Sequence, residues 1–354
     1  MHFRVGILGA TGAVGQRFIQ LLEDHPWFTV TALAASERSA GRTYGEVANW
    51  MGRTPLPARI AAMTVSECTP DLPCDFVFSG LDAAVAGEIE PAFARAGYPV
   101  ISNARNFRMA PDVPLLIPEV NPGHTALIDR QDWGQHAGRG RGFIVTNPNC
   151  ATVGLVMALK PLHDAFGVEA VMVTTLQALS GAGYPGVPSL DILGNVIPHI
   201  GGEEDKLETE PNKLLGQLGS EGVAFAGIAL SASVNRVAVV DGHLESVAVR
   251  LNGAPSPEEV THVLRDWRAP AAVAGLPSSP ERPLVVFDEP AFPQPARHVD
   301  LGAGMTASIG KVRACPVMGI KFNVLSHNTI RGAAGGAVLN AELLASEGRI
   351  ATRV

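Results

Sequence analysis

Asn147-Pro148-Asn149-Cys150 joins a strand-like run, Phe143–Thr146, to a helix-like segment that begins at Ala151. A thiol at such a junction faces the positive end of a helix dipole, which favours the thiolate, and the thiolate is the nucleophile. Pro148 fixes the path of the chain into the helix and Asn149 sets an amide beside the sulfur. Cys68, Cys74 and Cys315 have no such surroundings. Cys150 is therefore the candidate nucleophile, and the other three cysteines are read as structural.

A second motif is built for binding. Gly9-Ala10-Thr11-Gly12-Ala13-Val14-Gly15 follows a strand-like run, Phe3–Leu8, and opens a helix to about Asp24. Glycines at 9, 12 and 15 permit a tight turn, close approach of backbone N–H groups to a pyrophosphate, and packing of helix on strand. The helix N-terminus, with Thr11, Ala13 and Val14 in its first turn, supplies partial positive charge for the anion. At the end of the next strand stands Ser36-Glu37-Arg38-Ser39. A ribose 2′-hydroxyl is usually met there by an acidic residue and a 2′-phosphate by a cation. Arg38 flanked by Ser36 and Ser39 reads as a phosphate clamp, so NADP is the expected cofactor.

These groups need elements to hold them. Up to residue 150, short apolar runs at 3–8, 28–34, 75–79, 100–102 and 143–146 alternate with helix-length segments, the pattern of βαβ units and a parallel sheet. Beyond it, strand-like runs dominate at 170–179, 223–230, 236–240, 244–251, 284–287 and 305–312, with helices at 151–166 and 257–267. That half predicts a mixed or antiparallel sheet backed by a few helices. Gly332–Ser346 reads as a small-residue helix that returns to the first domain. The expectation is an α/β protein: a Rossmann-type dinucleotide-binding domain of residues 1–149 plus 328–354, and an α+β second domain of 150–327.

Composition removes several functions. The chain has 354 residues, 46% hydrophobic and 17% charged, enough for two domains with full cores. Net charge is −7 and the cations are scattered singly, which leaves no footprint for nucleic acid or an anionic membrane. Four cysteines without a CxxC pair or metal-ligand spacing exclude a disulfide scaffold and a zinc ribbon, and no metal is expected. The N-terminus lacks the features of a secretory signal, so a cytoplasmic protein with reduced thiols is expected. The uncharged stretch 170–190 is too interrupted by glycine, proline and polar residues to be a membrane span.

The Asn-Pro-Asn-Cys motif resembles aspartate-semialdehyde dehydrogenase, in its archaeal and fungal branch. The likeness extends over Gly9–Gln16, Ser36–Gly41, Ser102–Ala104 with Arg108-Met109, Ile117–Asn121, Gln177–Pro188, Glu203–Lys206, Ser231–Ser246 and His327–Ala334. It implies a glyceraldehyde-3-phosphate-dehydrogenase-like frame with a catalytic and dimerisation domain, assembled as a homodimer or homotetramer. It also implies reduction of L-aspartyl 4-phosphate with NADPH to aspartate semialdehyde and phosphate, on the way to lysine, methionine and threonine.

By the same resemblance Cys150 forms the thioacyl enzyme, Asn149 and Gln177 orient the acyl group, and His243 is the acid/base catalyst. Arg236 is implied as the clamp for the substrate α-carboxylate and Glu203 as the partner of its ammonium. Arg108 and Lys206 are implied phosphate binders, Ser180 and Gly181 nicotinamide-side contacts, and Asn328 a further cofactor contact. Arg236 and His243 are seven apart, an odd offset that points to opposite faces of an extended run. A bend near Asp241-Gly242 is needed if both are to meet one substrate. The chemistry is consistent with the inventory: a thiolate displaces phosphate when cations balance the leaving charge and donors hold the oxyanion.

Three positions depart from the branch. Ala151 replaces a common serine, Leu244 a common threonine, and Arg105 a small polar residue. An extra arginine widens an anionic pocket in principle, which keeps malonyl-CoA reductase as an alternative beside a non-catalytic NADP-binding regulator. N-acetyl-γ-glutamyl-phosphate reductase is similar in the first domain but normally has glycine where this chain has Asn149.

Overall fold

The computed structural model describes residues 1–136 and 140–352. By compactness the chain divides into Met1–Leu116, Gly123–Asn147 and Ala337–Val354 on the one hand, and Ile117–Pro122 with Pro148–Gly336 on the other.

The first unit is built on a six-stranded parallel sheet. Its strands are β1 (Phe3–Leu8), β2 (Phe28–Ala35), β3 (Val65–Glu67), β4 (Phe76–Ser79), β5 (Pro99–Ser102) and β6 (Phe143–Thr146). Their spatial order is 3-2-1-4-5-6 with every pair parallel, which is the doubly wound dinucleotide-binding order. The strands are apolar almost without alternation, as sheets covered on both faces require. Phe18 of helix α1 (Ala13–Leu22) stacks on Phe78 at 4.5 Å, and Phe28 and Phe76 pack edge-on around them. The C-terminal segment is tied in by Asn340, whose Nδ2 donates to Asn147 Oδ1, and by Glu342, which pairs with His25 at 2.7 Å.

The second unit carries a mixed sheet of β7 (Val168–Gln177), β8 (Ala229–Arg236), β9 (His243–Leu251), β10 (Leu284–Val286), β11 (Ala307–Cys315) and β12 (Gly319–Ser326). The order is β8-β7-β9-β12-β11-β10. Burial alternates along β7 and β9, so one face is covered and the other open. Helix α2 (Cys150–Phe166) packs on the covered face.

Three expectations are corrected. The expected strand 223–230 is divided between a short strand, Gly222–Ala224, and β8, and 236–240 is not a strand, because β8 ends at Arg236, Val237 to Gly242 turn away and Gly242 takes a φ of +99°. Strands β3 and β12 and helix α3 (Glu203–Leu214) are among the elements beyond those expected, although α3 begins after Gly202 with three acidic residues in its first turn, a dipole-favoured start. The return to the first unit falls at Ala337 and not at 328. Residues 327–336 pack with the second unit, and Ile117–Pro122 joins them there, with Glu119 paired to Arg331.

Candidate active site

In the first unit the glycine loop has the geometry its spacing implied. Gly9 has φ +72°, and a Cβ at Gly15 would lie 2.3 Å from the Gly9 carbonyl oxygen, so neither tolerates a side chain. Gly12 caps α1 without a side-chain bond, which leaves the first-turn N–H groups of Ala13 and Val14 for a ligand. A cavity of about 470 Å³ lies outside the carboxyl ends of β2 and β3, lined by Ser36, Glu37, Arg38, Glu67, Cys68 and Leu81 among others. Ser39 is not in its lining; its N–H closes the turn on the Ser36 carbonyl at 2.8 Å. An open helix N-terminus plus this cavity fits a dinucleotide, and Arg38 and Ser36 both line the cavity. Arg108, in the same unit, is buried and donates from Nη2 to the Asn103 carbonyl, whereas Arg105 is exposed.

In the second unit, sheet register gathers residues far apart in sequence. Arg236 lies opposite Gln177, and His243 opposite Ser326. Because Leu244 pairs with Leu176, continuing the register brings His243 alongside Gln177. One row on the covered face therefore reads Arg236, Gln177, His243, Ser326. The next row down reads Val234, Thr175, Glu245, Val324.

Cys150 is the first residue of α2, and its Sγ lies 3.2 Å from His243 Nε2. The other ring nitrogen, Nδ1, accepts the backbone N–H of Ala178 at 3.1 Å. A backbone N–H can only donate, so the neutral ring carries its proton on Nε2, facing the sulfur. Burial, reinforced by Arg236 and His327, drives the His243 pKa down to about 3. The ring therefore enters the chemistry uncharged. Gly181 packs over this pair: a Cβ there would lie 2.9 Å from Arg236 Nη1 and 3.1 Å from His243 Cε1.

Asn149 is the N-cap of α2, its Oδ1 accepting from Ala151 and Thr152. Its Nδ2 donates to both oxygens of Glu203, at 3.0 and 2.9 Å, and its backbone N–H to Glu210 at 2.7 Å. The amide expected to orient an acyl group is thus committed here to positioning Cys150. Glu203 also accepts from Gln177 at 3.4 Å and from Lys206 at 2.6 Å. Burial opposes its charge, but Lys206 and the two amides outweigh that cost and hold the carboxylate below its usual range. Lys206 is therefore the counter-ion of Glu203 in this structure.

Arg236 is buried, donates from Nη1 to the Ala178 carbonyl at 2.6 Å, and interacts electrostatically with Cys150 and Glu203. Asn328 accepts from Gly242 N–H and donates to Ser180 Oγ, so it fastens the Ser180-Gly181 turn to the bend before His243. Sequence reasoning missed Ala178, Glu210 and Glu245. Glu210 had a signal: it is two helical turns from Glu203 and so on the same face of α3. Leu244 sits on the open face of the sheet, turned away from His243, and Ala151 is fully buried in the helix.

A thiol 3.2 Å from a neutral imidazole, with a buried cation and a buried carboxylate, in a chain that also has a dinucleotide-binding sheet, is the constellation of a thiol-dependent aldehyde dehydrogenase. The family descriptions that match are semialdehyde dehydrogenase, NAD binding domain, over residues 4–128, and semialdehyde dehydrogenase, dimerisation domain, over 159–331. The chain is 50% identical to aspartate-semialdehyde dehydrogenase of Archaeoglobus fulgidus, covering 98% of this chain and 99% of that one. It is 48% identical to that of Cryptococcus neoformans, covering 99% and 98%. The crystal structure of the Candida albicans aspartate semialdehyde dehydrogenase with NADP superposes with a TM-score of 0.91 at 45% identity, covering 98% of this chain and all of that one. The chain belongs to the aspartate-semialdehyde dehydrogenase family.

Proposed function

We propose that the protein catalyses NADPH-dependent reduction of L-aspartyl 4-phosphate to L-aspartate 4-semialdehyde and phosphate. The observation that carries this reading is the 3.2 Å approach of Cys150 Sγ to His243 Nε2, beside oppositely charged Arg236 and Glu203. Cys150 attacks the acyl carbon as the thiolate, to which Nε2–H of His243 donates; the carbon–sulfur bond forms, the carbon–oxygen bond to phosphate breaks, and phosphate leaves with the electron pair. NADPH, when bound, supplies the hydride that reduces the thioester. His243 gives its Nε2–H as a hydrogen bond to the developing oxyanion and then to the departing thiolate, whose release yields the aldehyde. Arg236 grips the substrate α-carboxylate, and the ammonium competes with Lys206 for Glu203. Arg108 and Lys206 bind phosphate. Ser180 and Gly181 contact the nicotinamide side, and Asn328 acts there by holding Ser180.

The glycine loop Gly9–Gly15 with Ser36, Arg38 and Ser39 binds NADP in this reading, the same dinucleotide that accompanies the Candida albicans enzyme in its crystal structure. The open face of the second sheet, with exposed Met172 and Leu176, fits a second copy of the chain, in keeping with the dimerisation-domain match; a homodimer or homotetramer follows. Among the described residues no helix is long and apolar enough to cross a membrane. A cytoplasmic location accords with four free cysteines. The deciding assay is NADPH formation from aspartate semialdehyde and phosphate, set against NADPH oxidation with malonyl-CoA. Activity with malonyl-CoA alone rejects the reading.

A further inference from the structure

Cys150 is held from two sides. On one, Asn149 caps its helix. On the other, the turn Ile330–Ala334 presses in: a Cβ on Gly332 would lie 2.9 Å from Cys150 Cα, Cβ and O alike. Only glycine lets the two backbones approach so closely. The turn is wider than an α-helix, with Gly332 N–H donating to the His327 carbonyl at 2.9 Å and Ala334 N–H to the Thr329 carbonyl at 3.2 Å. Such expanded turns are rare and concentrate at functional sites. Gly332, Ala333 and Ala334 carry no side chains that could fix its distance from the cysteine.

Arg331 does carry one. Its Nη1 and Nη2 each meet an oxygen of Glu119 at 2.7 Å, and both residues are 1% exposed. Nη2 also touches Met157 Sδ, on the helix that Cys150 begins, at 3.0 Å. Glu119 is itself seated in a closed loop, where Asn121 Oδ1 accepts from Ile117 N–H and Val120 N–H donates to the Ile117 carbonyl. A two-pronged guanidinium–carboxylate pair sets orientation as well as distance. Buried pairs add little net stability compared with apolar side chains of the same volume. What this one supplies is a fixed position for the residue beside the nucleophile.

We propose that Arg331 and Glu119 are positioning residues for Cys150: their buried ion pair holds Gly332 against the cysteine and so sets the Sγ to Nε2 geometry. The proposal rests on Cys150 being the nucleophile, which Cys150→Ser tests separately. Arg331→Lys keeps the charge and loses the two-pronged grip. It is expected to lower kcat about 10- to 100-fold with little change in KM, the scale of an ångström-level misplacement. The rate at which iodoacetamide alkylates Cys150 should change with it, because the helix start and the imidazole that face the sulfur are displaced. Glu119→Gln should do the same, and it serves where the lysine variant does not fold. Gly332→Ala should reproduce both effects while the ion pair stays intact. If Arg331→Lys and Glu119→Gln lower only the melting temperature, with kcat and the alkylation rate of the folded enzyme unchanged, the pair is merely structural and the proposal is overturned. An active Cys150→Ser enzyme would instead overturn the proposed function.

Discussion

Arg236 and His243 are hydrogen-bonded to the two ends of one residue: His243 Nδ1 accepts the N–H of Ala178, and Arg236 Nη1 donates to its carbonyl. The buried guanidinium and the imidazole are thus fixed relative to each other through a single residue after β7. No side chain at 178 takes part, so the link is set by backbone geometry, and the full burial of Ala178 keeps that backbone in place. It also fixes which nitrogen of His243 bears the proton.

The first prediction follows from that tautomer. Cys150→Ser should abolish turnover and leave NADPH binding, measured by fluorescence titration, nearly unchanged. His243→Ala should lose about 10²–10⁴ in rate, the usual worth of a positioned proton-bearing group.

A pH prediction follows from the depressed His243. Its ring titrates near about 3 when folded and near about 6.5 when unfolded, so between those values the unfolded chain binds the extra proton. His243 should therefore contribute stability that is complete above about pH 6.5 and is lost progressively down to about pH 3, by up to about 1.4 kcal/mol per unit. Urea denaturation of wild type and His243→Gln should differ in slope across that window. Equal slopes would show that the ring is not held neutral.

Glu245 carries the opposite sign. It lies one row beneath His243, fully buried, and neither carboxyl oxygen has a hydrogen-bond partner among the described residues. Burial raises it well above the usual carboxylate range. The folded protein then holds a proton that the unfolded chain releases, so stability should fall as pH rises from about 4.5 toward the folded value. Glu245→Gln, uncharged and similar in shape, should match wild type in thermal unfolding near about pH 4 and exceed it near about pH 8. A constant difference would contradict this.

Cofactor choice should rest on Arg38. Arg38→Ala is expected to raise the KM for NADPH much more than that for NADH, since only NADPH carries the 2′-phosphate. Equal use of both by the unaltered enzyme would rule out the clamp.

Glu203→Gln should lower kcat/KM with aspartate semialdehyde about 10- to 150-fold, the loss of a charge-assisted bond worth about 1.5–3 kcal/mol. Part of that loss will fall on kcat, because Glu203 also holds the amides of Asn149 and Gln177. With malonyl-CoA, which has no ammonium, the KM should stay or improve. Steady-state kinetics with both substrates separates these cases.

Much of this protein is legible in its sequence because the signals are local. Gly9, Gly12 and Gly15 mark a turn that only small residues can make, and the run from Asn147 to Cys150 marks a capped helix start, since both depend on neighbours within one turn. The parallel sheet follows from apolar runs alternating with helices. The strand pairing is not local. That Arg236, Gln177, His243 and Ser326 share one row is decided by register across four strands. Lys206 answers Glu203 from three residues on along the same helix, but that the amides of Asn149 and Gln177 also reach it is decided by the docking of α3 against α2 and β7. The ion pair between Glu119 and Arg331 joins residues 212 positions apart. Their burial in the packed core fixes what spacing along the chain leaves open.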